Sequence, residues 1–308
     1  QDGRSRRTVA RLDRNVAGTH RGSLPSYFLP YKIETLEDGP AGEYLTDREA
    51  SEAVRFIKEN QGRPFLLYLP HHAVHTPLQA KKELIERYRK LAASQDAQGD
   101  PVYAAMVESM DESVGRLMSE LDRLGLAENT LFIITGDNGG MIRSTSNKPL
   151  RAGKGTEYEG GTRVPLIVRW PGVVKAGTEC AVPVIGCDLY PTVVEAAGAK
   201  LPGPVEGTSL VPLLKGASSL CRDALYWHFP HYHSLGATPY SAIRDKNMKL
   251  IEWQEDGRIE LYDLAADPIE ANDFAASKPA EVKRLKAKLD RWRNDVGAQM
   301  ALTNPNHD

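Results

Sequence analysis

The sequence predicts an α/β protein: a mostly parallel sheet flanked by helices, followed by a small antiparallel sheet with one packed helix. Three observations point there. Strand candidates at residues 65–69, 131–134 and 166–170 alternate with stretches of helical period, the pattern of a sheet built from strand and helix repeats. The run Leu131-Phe132-Ile133-Ile134 drives straight into Thr135-Gly136-Asp137-Asn138-Gly139-Gly140, as a buried strand does where its carboxyl end carries a ligand site. From Ala224 onward the strand candidates come without intervening helices and are closed by one amphipathic helix.

Each element has a local reason. Thr46-Asp47-Arg48-Glu49 reads as a capping box opening an amphipathic helix through about residue 59. A buried strand follows at residues 65–69, Phe65-Leu66-Leu67-Tyr68-Leu69, between two prolines. Tyr103, Met106, Val107, Met110, Val114, Leu117, Leu121 and Leu124 keep helical spacing and Gly125 is a natural stop; the methionines read as core filler rather than metal ligands. Asp188 is an N-cap candidate for a helix over residues 189–197, and residues 210–214 form a short apolar turn after a loop rich in proline and glycine. Strands are expected at residues 224–229, 240–244, 249–253 and 258–262, with Asp256-Gly257 as the hairpin turn of the last two. Val282, Leu285, Leu289 and Trp292 mark one side of a closing helix over residues 281–296. The domain reading is an irregular basic segment over residues 1–23, an α/β domain over 24–215 and an α+β subdomain over 216–308.

Composition narrows the class. With 308 residues, 41% hydrophobic and 26% charged, the chain has enough apolar sequence for one large core and a smaller satellite. The sequence shows no transmembrane run. Arg4, Arg6, Arg7, Arg11 and Arg14 make the first residues basic, yet the net charge is −2 and no basic face continues downstream, which argues against a nucleic-acid partner. Cys180, Cys187 and Cys221 are irregularly spaced and make no disulfide framework, although one pair could still form in an oxidising compartment.

Asp137 and Asn138 place hard oxygen donors at the end of a strand, suited to calcium or magnesium, and Gly139 and Gly140 suit a sharp turn that keeps the site open. The same residues also make a good plain turn. Downstream, Arg151-Ala152-Gly153-Lys154-Gly155-Thr156-Glu157-Tyr158-Glu159-Gly160-Gly161-Thr162-Arg163-Val164-Pro165 is a charged, glycine-rich loop between two strands. Glycine on both sides of Lys154 leaves its ammonium free to approach an anion, and the bland alternative is a solvated surface loop. Trp227-His228-Phe229-Pro230-His231-Tyr232-His233 mixes imidazoles with aromatics, which suits a sugar-facing rim at His231 and His233; simple surface packing is the alternative.

Thr-Gly-Asp-Asn-Gly-Gly followed by Gly-Lys-Gly-Thr-x-Tyr-Glu-Gly-Gly-x-Arg-Val-Pro resembles the sulfatase family of the alkaline phosphatase superfamily, most similar to the arylsulfatase branch acting on sulfated sugars. His71-His72-Ala73-Val74-His75-Thr76-Pro77, after the strand at 65–69, resembles the His-x-Pro turn of the same family. The resemblance runs from about Leu24 to the C-terminus. It implies an alkaline-phosphatase-like fold, Asp137 and Asn138 as ligands of one divalent cation, usually calcium, and Lys154 and His75 as catalytic residues in contact with the sulfate. A metal, a lysine and an imidazole aimed at a leaving alkoxide make chemical sense for sulfate monoester hydrolysis. His71 and His72 read as support of the turn or as substrate rim. The implied substrate is a sulfated carbohydrate or an aryl sulfate, and the implied location is the periplasm or outside the cell.

Other family elements are missing from these residues. The paired N-terminal aspartates, the Cys/Ser-x-Pro-x-Arg motif whose first residue becomes formylglycine, and the Lys-x-His element do not occur. Ser23-Leu24-Pro25-Ser26-Tyr27 has tyrosine where the motif needs arginine, and reads as a loop near the substrate entrance. The expectation is therefore an N-terminally incomplete copy of a sulfatase, inactive and poorly soluble alone because a central sheet edge is left unpaired. The alternative is a noncatalytic sulfatase-like protein that binds sulfated glycans through Lys154, His75 and the rim at His231 and His233.

Overall fold

The computed structural model describes residues 15–16, 23–95 and 99–302. The arginines of the expected basic segment, Arg4, Arg6, Arg7, Arg11 and Arg14, lie outside the described residues. The chain forms two compact units, residues 1–127 and 128–308.

The first unit is built on three helices: α1 (Leu45–Asn60), α2 (Lys82–Gln95) and α3 (Pro101–Arg123), with α3 packed against both others. Asp100 caps α3 by accepting the Val102 N–H at 2.7 Å, Pro101 occupies the first turn, and Gly125 leaves the helix in the left-handed region at φ 69°. Met106 is fully buried in the core with Tyr27, Tyr31 and Leu45, the filler role its spacing suggests. The capping box does not form. The helix starts earlier, at Leu45 after Tyr44, and the Glu49 carboxylate is engaged by histidines, so it cannot return to a capping position. The segment at residues 65–69 forms no strand, and among the described residues no strand pairs with it. It is also not buried on both faces. Phe65 packs edge-on against Phe56 at 5.7 Å, while Leu66 and Tyr68 are 60% and 73% exposed. The sequence reading missed α2, whose apolar stripe is narrow and broken by charge.

In the second unit β1 (Phe132–Thr135) pairs with β2 (Leu166–Arg169), and the one-turn α4 (Glu159–Thr162) lies between them in sequence. This pair is antiparallel, with Ile133 opposite Val168, and so does not extend a parallel sheet as expected of it. Next come α5 (Leu189–Ala196) and α6 (Val211–Leu214). Asp188 sits at the start of α5, but its carboxylate caps the neighbouring loops instead, accepting the N–H groups of Ile185 and Thr208 and pairing with Arg222.

The C-terminal meander β3 (Leu225–Phe229), β4 (Tyr240–Asp245), β5 (Met248–Trp253) and β6 (Ile259–Asp263) is fully antiparallel in that order, and α7 (Pro279–Val296) completes it. Gly257 at φ 68° makes the last hairpin turn. Side chains alternate across this sheet. Ile243, Leu250 and Leu261 face Leu285 and Leu289 of α7, whereas Tyr240, Ala242, Ile251, Trp253 and Tyr262 pack with Tyr158 from the glycine-rich loop. The sheet is therefore a wall between a helix and the candidate site.

Leu285→Ala removes a fully buried side chain from the helix side of that wall and is expected to cost about 2–5 kcal/mol. The urea midpoint measures it, and an unshifted midpoint would show that α7 adds little to the core.

Candidate functional site

At the end of β1 the chain releases Asp137 and Asn138. Asp137 is exposed, with no hydrogen bond or ion pair to its carboxylate among the described residues. Asn138 donates its Nδ2 to the Gly139 carbonyl at 2.9 Å, and its carboxamide oxygen carries no hydrogen bond among the described residues. Neither Gly139 nor Gly140 is in the left-handed region; what their missing side chains permit is close approach. Gly139 N–H donates to the Gly161 carbonyl at 3.0 Å, and a Cβ on Gly139 would stand 1.8 Å from the Gly160 oxygen.

The glycine-rich loop is stitched to this strand end. Lys154 N–H donates to the Gly140 carbonyl at 3.0 Å. Asn147 bridges the two segments: its Oδ1 accepts the Gly140 N–H at 2.9 Å, and its Nδ2 donates to the carbonyls of Gly140 at 2.7 Å and Ala152 at 3.2 Å. Of the loop's cations, Arg151 is committed. Its guanidinium lies 3.7 Å from the Tyr158 ring centre and donates to the Tyr262 hydroxyl at 2.9 Å. The half-buried Lys154 has no anionic partner among the described residues, which leaves its ammonium available to a ligand.

The segment after β3 closes on the same loop. Ala237 N–H donates to the Gly155 carbonyl at 3.1 Å, and the His233 ring stands where a Cβ on Gly155 would be, 2.6 Å from its Nδ1. His233 Nδ1 accepts the Leu235 N–H at 3.1 Å, so the neutral ring carries its proton on Nε2. His231 is exposed and packs edge-on against Phe229 at 5.5 Å. Asp137, Asn138, Lys154 and His233 thus lie on directly joined segments, with His231 two residues before His233.

His75 belongs to the first unit, on an exposed turn. Its Nδ1 donates to the Thr76 carbonyl at 3.1 Å, which leaves Nε2 for proton transfer. Behind it, buried Glu49 receives both His71 Nδ1, at 2.9 Å, and His72 Nδ1, at 2.5 Å; His71 Nε2 also meets Ser113 at 3.0 Å. His71 and His72 therefore support the turn. The Tyr27 hydroxyl donates to the His72 carbonyl, and Ser23 to that of Thr76 at 3.0 Å, so the segment 23–27 is scaffold for the histidine turn. Burial opposes the charge on Glu49, but the hydrogen bonds from His71 and His72 outweigh it and hold the carboxyl below its ordinary pKa.

The donors at 137 and 138 suit a hard divalent cation in kind. They fall short in number, since such an ion takes about six to eight oxygens, and no group of three or more His, Cys, Asp or Glu side chains able to hold a metal exists among the described residues. Glu49, Asn147, Arg151 and Glu270 were not legible as site residues. Glu49 sits within a capping signature, and Glu270 reaches the loop across 111 residues of sequence.

Comparison with known proteins places the chain among known families. The family model described as Sulfatase matches residues 11–199, and that described as N-sulphoglucosamine sulphohydrolase, C-terminal, matches residues 153–295. The chain is similar to a sulfatase of Formosa agariphila, 36% identical over 284 residues that cover 83% of this chain and 51% of the relative. It is also similar to the N-acetylglucosamine-6-O-sulfatase of Bacteroides thetaiotaomicron, at 33% over 63% of this chain and 36% of the relative, and to human steryl-sulfatase, at 37% over 66% and 35%. Among solved structures it matches Ps i-CgsB in complex with k-i-k-neocarrahexaose, with a TM-score of 0.74 and 32% identity over 84% of this chain and 56% of that one. The chain spans about half, or less, of the length of these curated relatives.

Asn147→Ala removes the bridge between the strand end and the lysine loop and is expected to cost about 1–3 kcal/mol, read as a lower urea midpoint; no loss would mean the backbone contacts suffice. For Glu49 the sign follows from its depressed pKa. Its stabilisation is complete above the unfolded value of about 4.3 and is lost as pH falls through the folded value. Tm measured across that acid window should fall more steeply for the parent than for Glu49→Gln, and parallel curves would remove Glu49 from the pH response.

Proposed function

Because the chain belongs to the sulfatase family, we propose that it carries part of the active site of a hydrolase of sulfate monoesters on sulfated carbohydrates. Its fold is alkaline-phosphatase-like α/β with the small C-terminal antiparallel sheet that the sequence predicts. The observation that carries the reading is the joining of Asp137, Asn138 and Lys154 through the contacts of Gly140, with the lysine left unpaired among the described residues. In this reading Asp137 and Asn138 help hold a calcium ion, which when bound supplies fixed positive charge beside the sulfate. Lys154 neutralises the sulfate, and His75 holds or delivers a proton at the bridging ester oxygen.

The carbohydrate assignment draws support from the relatives named for N-acetylglucosamine 6-O-sulfate and from the neocarrahexaose complex. The rim adds to it: His233 offers an Nε2–H donor beside Lys154, and His231 an exposed imidazole, both suited to sugar oxygens. No helix among the described residues is long and apolar enough to cross a membrane, and a periplasmic or secreted location accords with the chemistry of an external glycan. A second reading is noncatalytic binding of sulfated glycans through Lys154, His75 and the rim at His231 and His233, which rests on the same cation and imidazoles without a nucleophile.

Sulfate release from a sulfated oligosaccharide, with and without calcium, tests both readings. In a form of the protein that contains the nucleophile motif, Asp137→Ala should abolish calcium-dependent release and Lys154→Ala should lower kcat by about 10²–10³-fold. Unchanged turnover in Asp137→Ala would remove that residue from the metal site, and saturable glycan binding without release by any form would favour the noncatalytic reading.

A further inference from the structure

The loop that carries Lys154 is fastened at both ends by one residue far downstream. At its start, Arg151 Nη1 donates to the Glu270 carbonyl oxygen at 2.9 Å. At its far end, the Glu159 N–H donates to Glu270 Oε2 at 2.7 Å. The ends also meet each other, Gly160 N–H to the Arg151 carbonyl at 2.9 Å. The remaining carboxylate oxygen of Glu270 accepts Lys249 Nζ at 2.9 Å, and the same ammonium donates to Glu159 Oε1 at 3.0 Å. Glu270 has no solvent exposure.

The backbone of Glu270 shows what this costs. Its φ is 53°, in the left-handed region that favours glycine or asparagine. Glycine has no side chain to offer, and a shorter carboxamide would give Lys249 or the Glu159 N–H a donor where an acceptor is needed. The position is held by a tight turn, with Glu270 N–H on the Asp267 carbonyl at 3.2 Å and Asn272 N–H on Asp267 Oδ2 at 2.7 Å.

We propose that Glu270 is a positioning residue for Lys154: its carbonyl and its carboxylate close the two ends of the lysine loop against the C-terminal sheet and so set where the ammonium is presented. The Lys154 side chain has no partner of its own among the described residues, so its placement depends on the backbone that carries it. The functional weight of the proposal rests on Lys154 as the sulfate contact, whereas its structural content does not.

Amide hydrogen exchange on the full chain, with a titration of inorganic sulfate, tests it. In Glu270→Ala and Glu270→Gln the amides of Lys154, Gly160 and Gly161 should exchange at least about tenfold faster, while those of Leu250 and Ile251 keep their protection and report an intact sheet. Sulfate affinity should fall about tenfold. Arg151→Met leaves the Lys249 cluster whole and opens the other end; it should speed the same loop amides, and it decides the matter if the Glu270 variants do not fold. Unchanged loop exchange in the folded variants overturns the proposal. Faster loop exchange in a chain whose parent takes up no sulfate supports the positioning role and removes the anion role of Lys154.

Discussion

The second unit depends on one buried charge cluster. Lys249 is 1% exposed on the loop-facing side of β5, where its neighbours in alternation are Ile251 and Trp253. An ammonium there is tolerable only when paired, and Glu159 and Glu270 supply the pairing from two separate segments. Arg244 adds positive charge 3.5 Å from the second oxygen of Glu159. Burial pushes the Glu270 carboxyl upward, and Lys249 opposes that shift. Such a cluster adds modestly to stability, but it is exacting about register: a displaced loop would strand a charge in the core. The short α4 could not fix itself, and its first N–H, that of Glu159, finds an acceptor in Glu270.

Most of the secondary structure was legible because it rests on local signals. The four C-terminal strands and α7 fall within about two residues of their alternation and helical period, since both faces of that sheet are covered and burial follows sequence. The segment at 65–69 shows the limit. Its apolar run has strand character, but alternation cannot say whether a neighbour is present, and Leu66 and Tyr68 face outward. The capping box failed for a related reason. Glu49 has two possible uses at its position, and two histidines 22 and 23 residues away decide between them.

The candidate site divides in the same way. Residues with reactive ends, Asp137, Lys154 and the exposed His75, sit in short motifs and could be picked out by chemical type. The residues that hold them are distant and ordinary in sequence. Asn147 looks like a loop asparagine, Arg151 like one more charge among glycines, and Glu270 like a surface acid after a strand. Their roles arise from hydrogen bonds that span as many as 119 residues, and no local pattern encodes such a partner.

This division follows from how binding groups must be built. A side chain that meets a ligand has to keep at least one charge or lone pair unsatisfied, so its position is fixed through its other atoms, as at His233, or through the backbone beneath it, as at Lys154. Here the glycines provide the means, because only residues without a Cβ let Gly139 lie against Gly160, and Gly160 against the Arg151 and Ala152 carbonyls at 2.2 and 2.4 Å from where a Cβ would stand. Close backbone contact then transmits the fixed position of Glu270 to Gly140, and through Gly140 to both Lys154 and the strand end that carries Asp137. The same logic operates in the first unit, where Glu49 holds His71 and His72, and the His72 carbonyl holds the His75 N–H at 3.0 Å. In each unit a buried carboxylate fixes a segment that carries a candidate cationic or proton-bearing group.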